Sequence, residues 1–162
     1  MIIVDCKTDW PDVIEAGKDM TATKLSASLK DHFCRTAVPE LMWSDRGPQF
    51  TSQHLADFLY SWGVSHETSS PHYPQSNGKA ESVVKSMKKL ISASWTGNSV
   101  DWNKLSRALL QYRNTPCRKD GRSPTQKLFG HPVQDTLPVH RRSFAPEWQQ
   151  LAIEADKKLQ ET

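Results

Sequence analysis

Apolar positions along the chain follow two periods, and the switches between them mark out its elements. Met1–Cys6 is a short β-branched apolar run that predicts a strand. Lys7–Pro11 is polar and holds a proline, so it predicts a turn, and Asp12–Gly17 predicts a second strand paired to the first as a hairpin. The period then becomes helical. Leu25, Leu29, His32 and Phe33 recur at helical spacing behind Thr21, a fair N-cap, and predict a helix over Ala22–Thr36. Pro39 closes that segment, and Glu40–Ser44 (ELMWS) reads as a short buried strand. Asp45-Arg46-Gly47-Pro48 is a turn at its C-terminal end. Thr51 or Ser52 caps a helix carrying Leu55, Phe58, Leu59 and Trp62, stopped at Gly63. Val64–Thr68 predicts another strand, Ser69–Gly78 a polar loop with two prolines, and Asn77–Trp95 a long helix. Val100–Asn114 predicts a further helix, Arg118–Ser123 a basic loop, and Pro124–Phe129 a short helix ending at Gly130. His131–Pro146 is weakly patterned, and Trp148–Glu161 predicts a last amphipathic helix. The order β-β-α-β-α-β-α-α is that of a mixed α/β domain with helices packed on a sheet.

Composition narrows the class. The 162 residues suffice for one domain with a sizeable core and are short for two. Mean hydropathy is −0.65, yet six Trp, five Phe and three Tyr are too many large apolar groups for a disordered chain. No run approaches the length of a membrane helix, and Met1–Cys6 leads straight into charges, which predicts no secretory leader and no membrane partner. Three scattered cysteines without a CxxC predict neither a disulfide framework nor a zinc ribbon, and fit a reducing, intracellular setting. The net charge of +3 conceals a split. Residues 1–78 carry six basic and ten acidic side chains, residues 79–122 carry ten and three, and residues 123–162 carry five of each. A basic middle beside an acidic first half suggests a polyanion partner, with acidic groups gathering metal ions; a solvated basic helix face is the plainer alternative.

Two constellations can carry chemistry. Asp45 sits where a buried strand turns out of the sheet, a place where α/β folds put ligand-binding groups. On the long helix, Ala80, Val84, Met87 and Ile91 cluster on one face with Leu90 beside them, while Glu81, Lys85, Lys88 and Ser92 fall on a neighbouring face. Carboxylates on two rigid elements can share a Mg²⁺, which prefers oxygen ligands, and the lysines can hold phosphates near it. The competing reading makes Glu81–Lys85 an ordinary surface ion pair and Asp45 a turn residue. The second constellation is the loop Ser69–Lys79, rich in small polar donors, which leads into a helix N-terminus suited to an anion. Lesser candidates have bland readings: His32/Cys34 as helix residues rather than ligands, Trp62 and Trp95 as core, and Arg118, Lys119 and Arg122 as solvated cations or DNA contacts.

These residues bring a family into view. WSDRGPQFTS (Trp43–Ser52) followed by SSPHYPQSNGKAE (Ser69–Glu81) closely resembles the integrase core of retroviruses and gypsy-type LTR retrotransposons. That family uses two aspartates and a glutamate on a ribonuclease-H-like fold, with thirty-five residues between the second Asp and the Glu. Thirty-five residues separate Asp45 from Glu81 here. VDCKTDWPDV (Val4–Val13), VPELMWSD (Val38–Asp45) and YRNTPCRKDGRSPTQKLFG (Tyr112–Gly130) are similar to further family segments, so the resemblance spans about residues 1–140. It implies a ribonuclease-H-like mixed sheet flanked by helices, with a partial catalytic core over 1–115 and a post-core segment over 116–162. It implies that Asp45 and Glu81 bind Mg²⁺ (or Mn²⁺) and catalyse 3′-end processing and strand transfer. Gln75, Asn77, Lys79, Lys85 and Lys88 are implied to face DNA. The implied partners are DNA and further copies of the chain when DNA is bound, in the nucleus, with no small-molecule cofactor.

One departure matters. The family carries its first catalytic Asp on its first strand, whereas this sequence opens at the segment resembling the second. Asp5, Asp9 and Asp12 are available carboxylates, but Asp5 matches a neighbouring strand, and a shift of one strand, about 5 Å, exceeds what metal ligation tolerates. The reading is therefore a core lacking the family's first strand and weakly active or inactive by itself. The rivals are a non-catalytic, retroelement-derived protein that binds DNA or a partner, and an unstable remnant.

Overall fold

A computed structural model describes residues 1–15, 17, 19–68, 74–117, 121–135, 154 and 157, with the side chains of 74–79 outside that set. The chain divides into two compact units, one formed by Met1 and Ile14–Gln75 and the other by Ile2–Val13 and Ser76–Thr162. Among the described residues, no helix is long and apolar enough to cross a membrane.

The first unit is a helix followed by a strand–helix–strand crossover. Helix α1 (Ala22–Arg35) starts where the Thr21 side chain accepts the Lys24 N–H, and it buries Leu25, Leu29, His32 and Phe33, the four positions its period marks. Strand β3 (Leu41–Ser44) runs parallel to β4 (Ser65–Thr68), pairing Leu41 with Ser65 through Ser44 with Thr68. Between them α2 (Gln53–Ser61) buries Leu55 and Leu59, and Ser52 rather than Thr51 is its N-cap. The helix ends in a Schellman closure: the Gly63 N–H bonds the Tyr60 carbonyl at 3.0 Å and the Val64 N–H bonds the Leu59 carbonyl at 2.9 Å. Gly63 holds φ +69°, a conformation costly for any residue with a Cβ, so the helix stops there. Helices α1 and α2 pack through Phe33, Phe58 and Trp62, whose rings lie 5.8–6.2 Å apart.

The second unit holds strands β1 (Ile2–Val4) and β2 (Pro11–Val13), antiparallel, with Ile2 opposite Val13. Pro11 opens its strand instead of belonging to the turn, a position where its missing N–H costs nothing. Helix α3 (Pro74–Ala93) begins three residues before the sequence pattern predicts, because Pro74 is pre-set for a first helical turn. A hairpin that the pattern does not predict follows: β5 (Trp95–Thr96) and β6 (Ser99–Val100) turn through Gly97-Asn98, with Gly97 at φ +64° as a two-residue turn with glycine first requires. The hairpin leaves Trp95 53% exposed rather than in the core. Helix α4 (Trp102–Asn114) is capped by Asp101, and α5 (Pro124–Phe129) by a Ser123–Gln126 capping box, ending at Gly130 in the left-handed region.

The core of the second unit is Val83, Met87 and Leu109, flanked by Ile2, Val4, Val13, Leu90 and Tyr112. The buried stripe of α3 is thus centred on Val83 and Met87, not on Val84 and Ile91. The pattern permitted both faces, and the apolar partners offered by β1, β2 and α4 select one.

A single guanidinium ties these elements together. Arg113 donates to the Pro11 carbonyl from Nε at 3.0 Å and from Nη2 at 2.8 Å, pairs with Asp12 at 3.1 Å, and lies 4.2 Å over the Trp10 ring. Trp10 in turn meets Phe129 edge-on at 5.5 Å, and Lys127 pairs with buried Asp9 at 2.8 Å. Residues beyond 115 are therefore part of the packing of this unit.

The described strands form three two-stranded ladders, β1–β2 and β5–β6 antiparallel and β3–β4 parallel. The mixed pairing expected of the fold is present, and among the described residues no strand joins one ladder to another. The helix expected over Trp148–Glu161 lies outside the described residues, apart from positions 154 and 157. Replacing Arg113 by Met should remove the cation paired with the buried Asp12 carboxylate and the bonds to the Pro11 carbonyl, and lower stability by about 3 kcal/mol, measured by urea unfolding.

Candidate functional site

Asp45 stands one residue past β3 and is exposed. Its Oδ1 accepts the Gly47 N–H at 3.0 Å, an Asx turn that fixes the carboxylate against its own backbone. A Cβ on Gly47 would sit 3.1 Å from that Oδ1 and 2.7 Å from Gln49 Nε2, so glycine leaves the room this turn uses. Downstream, the Phe50 and Thr51 amides both bond the Gly47 carbonyl and lead the chain into the Ser52 cap of α2.

Behind Asp45 runs a second set of contacts that the sequence reading did not identify. Ser44 Oγ donates to the Asp45 carbonyl at 2.9 Å and lies 2.9 Å from His66 Nε2. With the imidazole proton on Nε2, His66 donates to the hydroxyl and the hydroxyl donates onward to the carbonyl. Burial lowers the His66 pKa from its ordinary value of 6.5, which keeps the ring neutral near pH 7. On the other side of the ladder, Trp43 lies opposite Glu67 in register, and its indole N–H donates to Glu67 Oε2 at 2.9 Å. Strand alternation is the signal that could have found both pairs: positions 44 and 66 share one face, 43 and 67 the other.

Glu81 lies on α3 in the second unit. The buried stripe of that helix runs through Val83 and Met87, with Leu90 along it. At 100° per residue, Glu81, Lys85, Lys88 and Ser92 fall roughly opposite this stripe, and all four are exposed. The structure moves them from a neighbouring face to the far one, clear of the core. Gln75, Asn77 and Lys79 fall in the opening turns of α3, and their side chains lie outside the described residues, as do Ser69–Tyr73.

The other carboxylates have local tasks. Asp5 accepts the Lys7 N–H at 3.0 Å and the Thr8 hydroxyl at 2.6 Å, Asp9 pairs with Lys127, and Asp12 pairs with Arg113. Asp9 does so from φ +61°, in the left-handed region. Among the described residues, no group of three or more His, Cys, Asp or Glu could hold a metal ion. His32 is buried while Cys34, two residues along the same helix, is exposed, so that pair does not converge. Arg122 is half-buried, and Arg118 and Lys119 lie outside the described residues.

His66 predicts a pH effect. Its proton affinity is lower in the folded than in the unfolded chain, so its contribution to stability is complete above about pH 6.5 and is lost as the pH falls below that value. Unfolding titrations of the parent chain should show this loss on acidification, and His66→Gln should remove that component.

Residues 1–74 match the Integrase core domain family. An uncharacterized protein of Caenorhabditis elegans is 33% identical over 138 residues, covering 85% of this chain and 11% of the relative. The Gag-Pol polyprotein of walleye dermal sarcoma virus is 29% identical over 150 residues, covering 91% of this chain and 8% of the polyprotein. The chain thus spans about a tenth of the length of these relatives. Among solved structures, the catalytic core domain of BIV integrase superposes with a TM-score of 0.65 at 20% identity, over 80% of this chain and 84% of that one. The HTLV-2 integrase catalytic core domain in complex with magnesium superposes with a TM-score of 0.64 at 20% identity, over 78% of this chain and 82% of that one. The mixed α/β fold is therefore that of retroviral integrase catalytic cores, residues 1–74 match the integrase core family, and the chain is similar in sequence to part of the retroviral Pol polyproteins.

Proposed function

We propose that this chain supplies the DNA-handling surface of an integrase: Asp45 and Glu81 as metal-binding carboxylates, and Gln75, Asn77, Lys79, Lys85 and Lys88 as contacts to DNA. The observation that carries this reading is the α3 face. A carboxylate and two ammonium groups project together, exposed, from the side of the helix opposite its core contacts. Lysines so placed gain by neutralising phosphates, with release of condensed counterions.

The donor set of Asp45 and Glu81 is all oxygen, which suits Mg²⁺ or Mn²⁺, and the magnesium in the HTLV-2 structure supports that choice. A divalent ion bound by such a carboxylate would polarise a water or a DNA 3′-hydroxyl and stabilise the leaving oxygen. The protein's own part is to hold Asp45 rigid through the Gly47 amide, to present Glu81 from a helix fixed by Met87, and to seat the phosphate on Lys85 and Lys88. Assembly with further copies on DNA belongs to the same reading, as does a nuclear site of action. The trimeric form of the HTLV-2 core supports the first of these.

A second reading, DNA binding without strand transfer, is favoured by one specific observation: Asp5, Asp9 and Asp12 are committed to Thr8, Lys127 and Arg113. Those three carboxylates are then engaged elsewhere and are not at hand to join Asp45 and Glu81 at a metal. The two readings separate in one experiment. Purified chain is mixed with oligonucleotide duplexes in Mg²⁺ or Mn²⁺, and both strand joining and binding are followed. Catalysis requires joining that Asp45→Asn abolishes. The second reading requires no joining, with affinity kept or raised in Glu81→Gln. Under either, the double variant Lys85→Ala/Lys88→Ala should weaken binding to every duplex and reduce the slope of log affinity against log salt by about 2. An unchanged slope would remove α3 from the DNA interface.

A further inference from the structure

Asp45 is exposed, yet hydrogen bonds hold it at two points. Its Oδ1 accepts the Gly47 N–H at 3.0 Å, which fixes the side chain, and its carbonyl accepts the Ser44 hydroxyl at 2.9 Å, which fixes the backbone. Among the described residues, Oδ2 takes no hydrogen bond. The carboxylate thus has one oxygen engaged by the turn and the other open. What sets the Ser44 hydroxyl matters here, because a serine rotor has one proton to give and can turn it to any acceptor within reach, water included. His66 Nε2 lies 2.9 Å from Ser44 Oγ, across the parallel ladder in which Met42 pairs with His66 and Ser44 with Thr68. An Nε2–H donated to Oγ occupies one side of the oxygen and turns the serine proton away, toward the Asp45 carbonyl. The bonds therefore run from His66 to Ser44 to Asp45, from the interior of a paired strand to a residue one position beyond the ladder.

We infer that His66, acting through Ser44, is a positioning residue for the Asp45 carboxylate and raises its affinity for a divalent cation. The inference rests on the metal-binding reading of Asp45 above and adds two residues to it. A ligand oxygen that is already aimed loses little conformational freedom when a cation binds. Groups that hydrogen-bond a ligating residue from behind set its orientation, and their loss lowers metal affinity although they never touch the ion. Ser44 and His66 stand in that relation to Asp45.

The test titrates Mn²⁺ into the full chain and follows paramagnetic broadening of the Gly47 amide signal by NMR. The Trp43 indole N–H, bonded to Glu67 on the opposite face of the same ladder, reports in metal-free spectra whether β3 and β4 remain paired. The parent chain should show the broadening and Asp45→Asn should lose it. Ser44→Ala and His66→Ala should each need about tenfold more Mn²⁺ for the same broadening, with the Trp43 signal unmoved. Conservative variants separate positioning from packing. Ser44→Thr keeps a hydroxyl and His66→Gln keeps an N–H donor in the place of Nε2, so both should bind as the parent does. Parent affinity in His66→Ala, or a His66→Gln chain as weak as His66→Ala, overturns the inference and leaves metal binding by Asp45 standing. Loss of the Trp43 signal together with the affinity assigns the pair to holding the ladder and overturns it as well. A parent chain without broadening, or broadening that survives Asp45→Asn, overturns the metal-binding reading and this inference with it.

Discussion

Burial of Val83 and Met87 against β1, β2 and α4 is the contact on which the presentation of the second unit depends. An α-helix has one set of faces, and fixing which one meets the core fixes all the others. Met87 is fully buried, so α3 cannot rotate without exposing a large apolar side chain at a cost of about 2 kcal/mol. Glu81, Lys85 and Lys88 inherit their outward direction from that constraint. Arg113 extends the same constraint beyond α4, since its guanidinium binds the β2 backbone and Asp12 at once. The post-core helix joins through Lys127 and Thr125, which bond Asp9 and the Arg113 carbonyl.

Around Asp45 the control is local instead. Gly47 gives its amide to the carboxylate, Ser44 bonds the carbonyl, and His66 meets Ser44 from the neighbouring strand. None of these contacts needs a distant part of the chain. Parallel pairing of β3 with β4 puts the Ser44–His66 and Trp43–Glu67 pairs on opposite faces of one ladder, so the same strand end carries both a backbone clamp and an exposed ring.

Much of this was legible in the residues, for identifiable reasons. Thr21 and Gly63 mark helix ends through interactions within four or five residues, and the structure places both as read. The exposed positions of Asp45 and Glu81 follow from a turn and a helical period. What escaped depended on partners distant in sequence or on weak local signals. The choice between Val83 and Val84 as the buried face is made by Ile2 and Leu109, and periodicity alone cannot see them. Asp9 and Asp12, plausible as spare carboxylates, are occupied by cations more than a hundred residues away. The hairpin at Gly97-Asn98 has only two residues per strand, too few for alternation to register.

The difference in reach between the two sets of contacts has a kinetic side. The β3–α2–β4 crossover closes all its pairings within residues 41–68, whereas Arg113 meets Asp12 across 101 positions and Lys127 meets Asp9 across 118. Loop closure over such spans costs entropy before any contact rewards it, and topologies rich in local contacts form faster. The turn that carries Asp45 thus belongs to a segment able to organise early, once β4 has been made. The helix that carries Glu81 acquires its final support only when residues near 127 have been made and have folded back onto the first strands. Maturation of the segments that carry Asp45 and Glu81 is consequently staggered along the chain, with the basic α3 segment completed last.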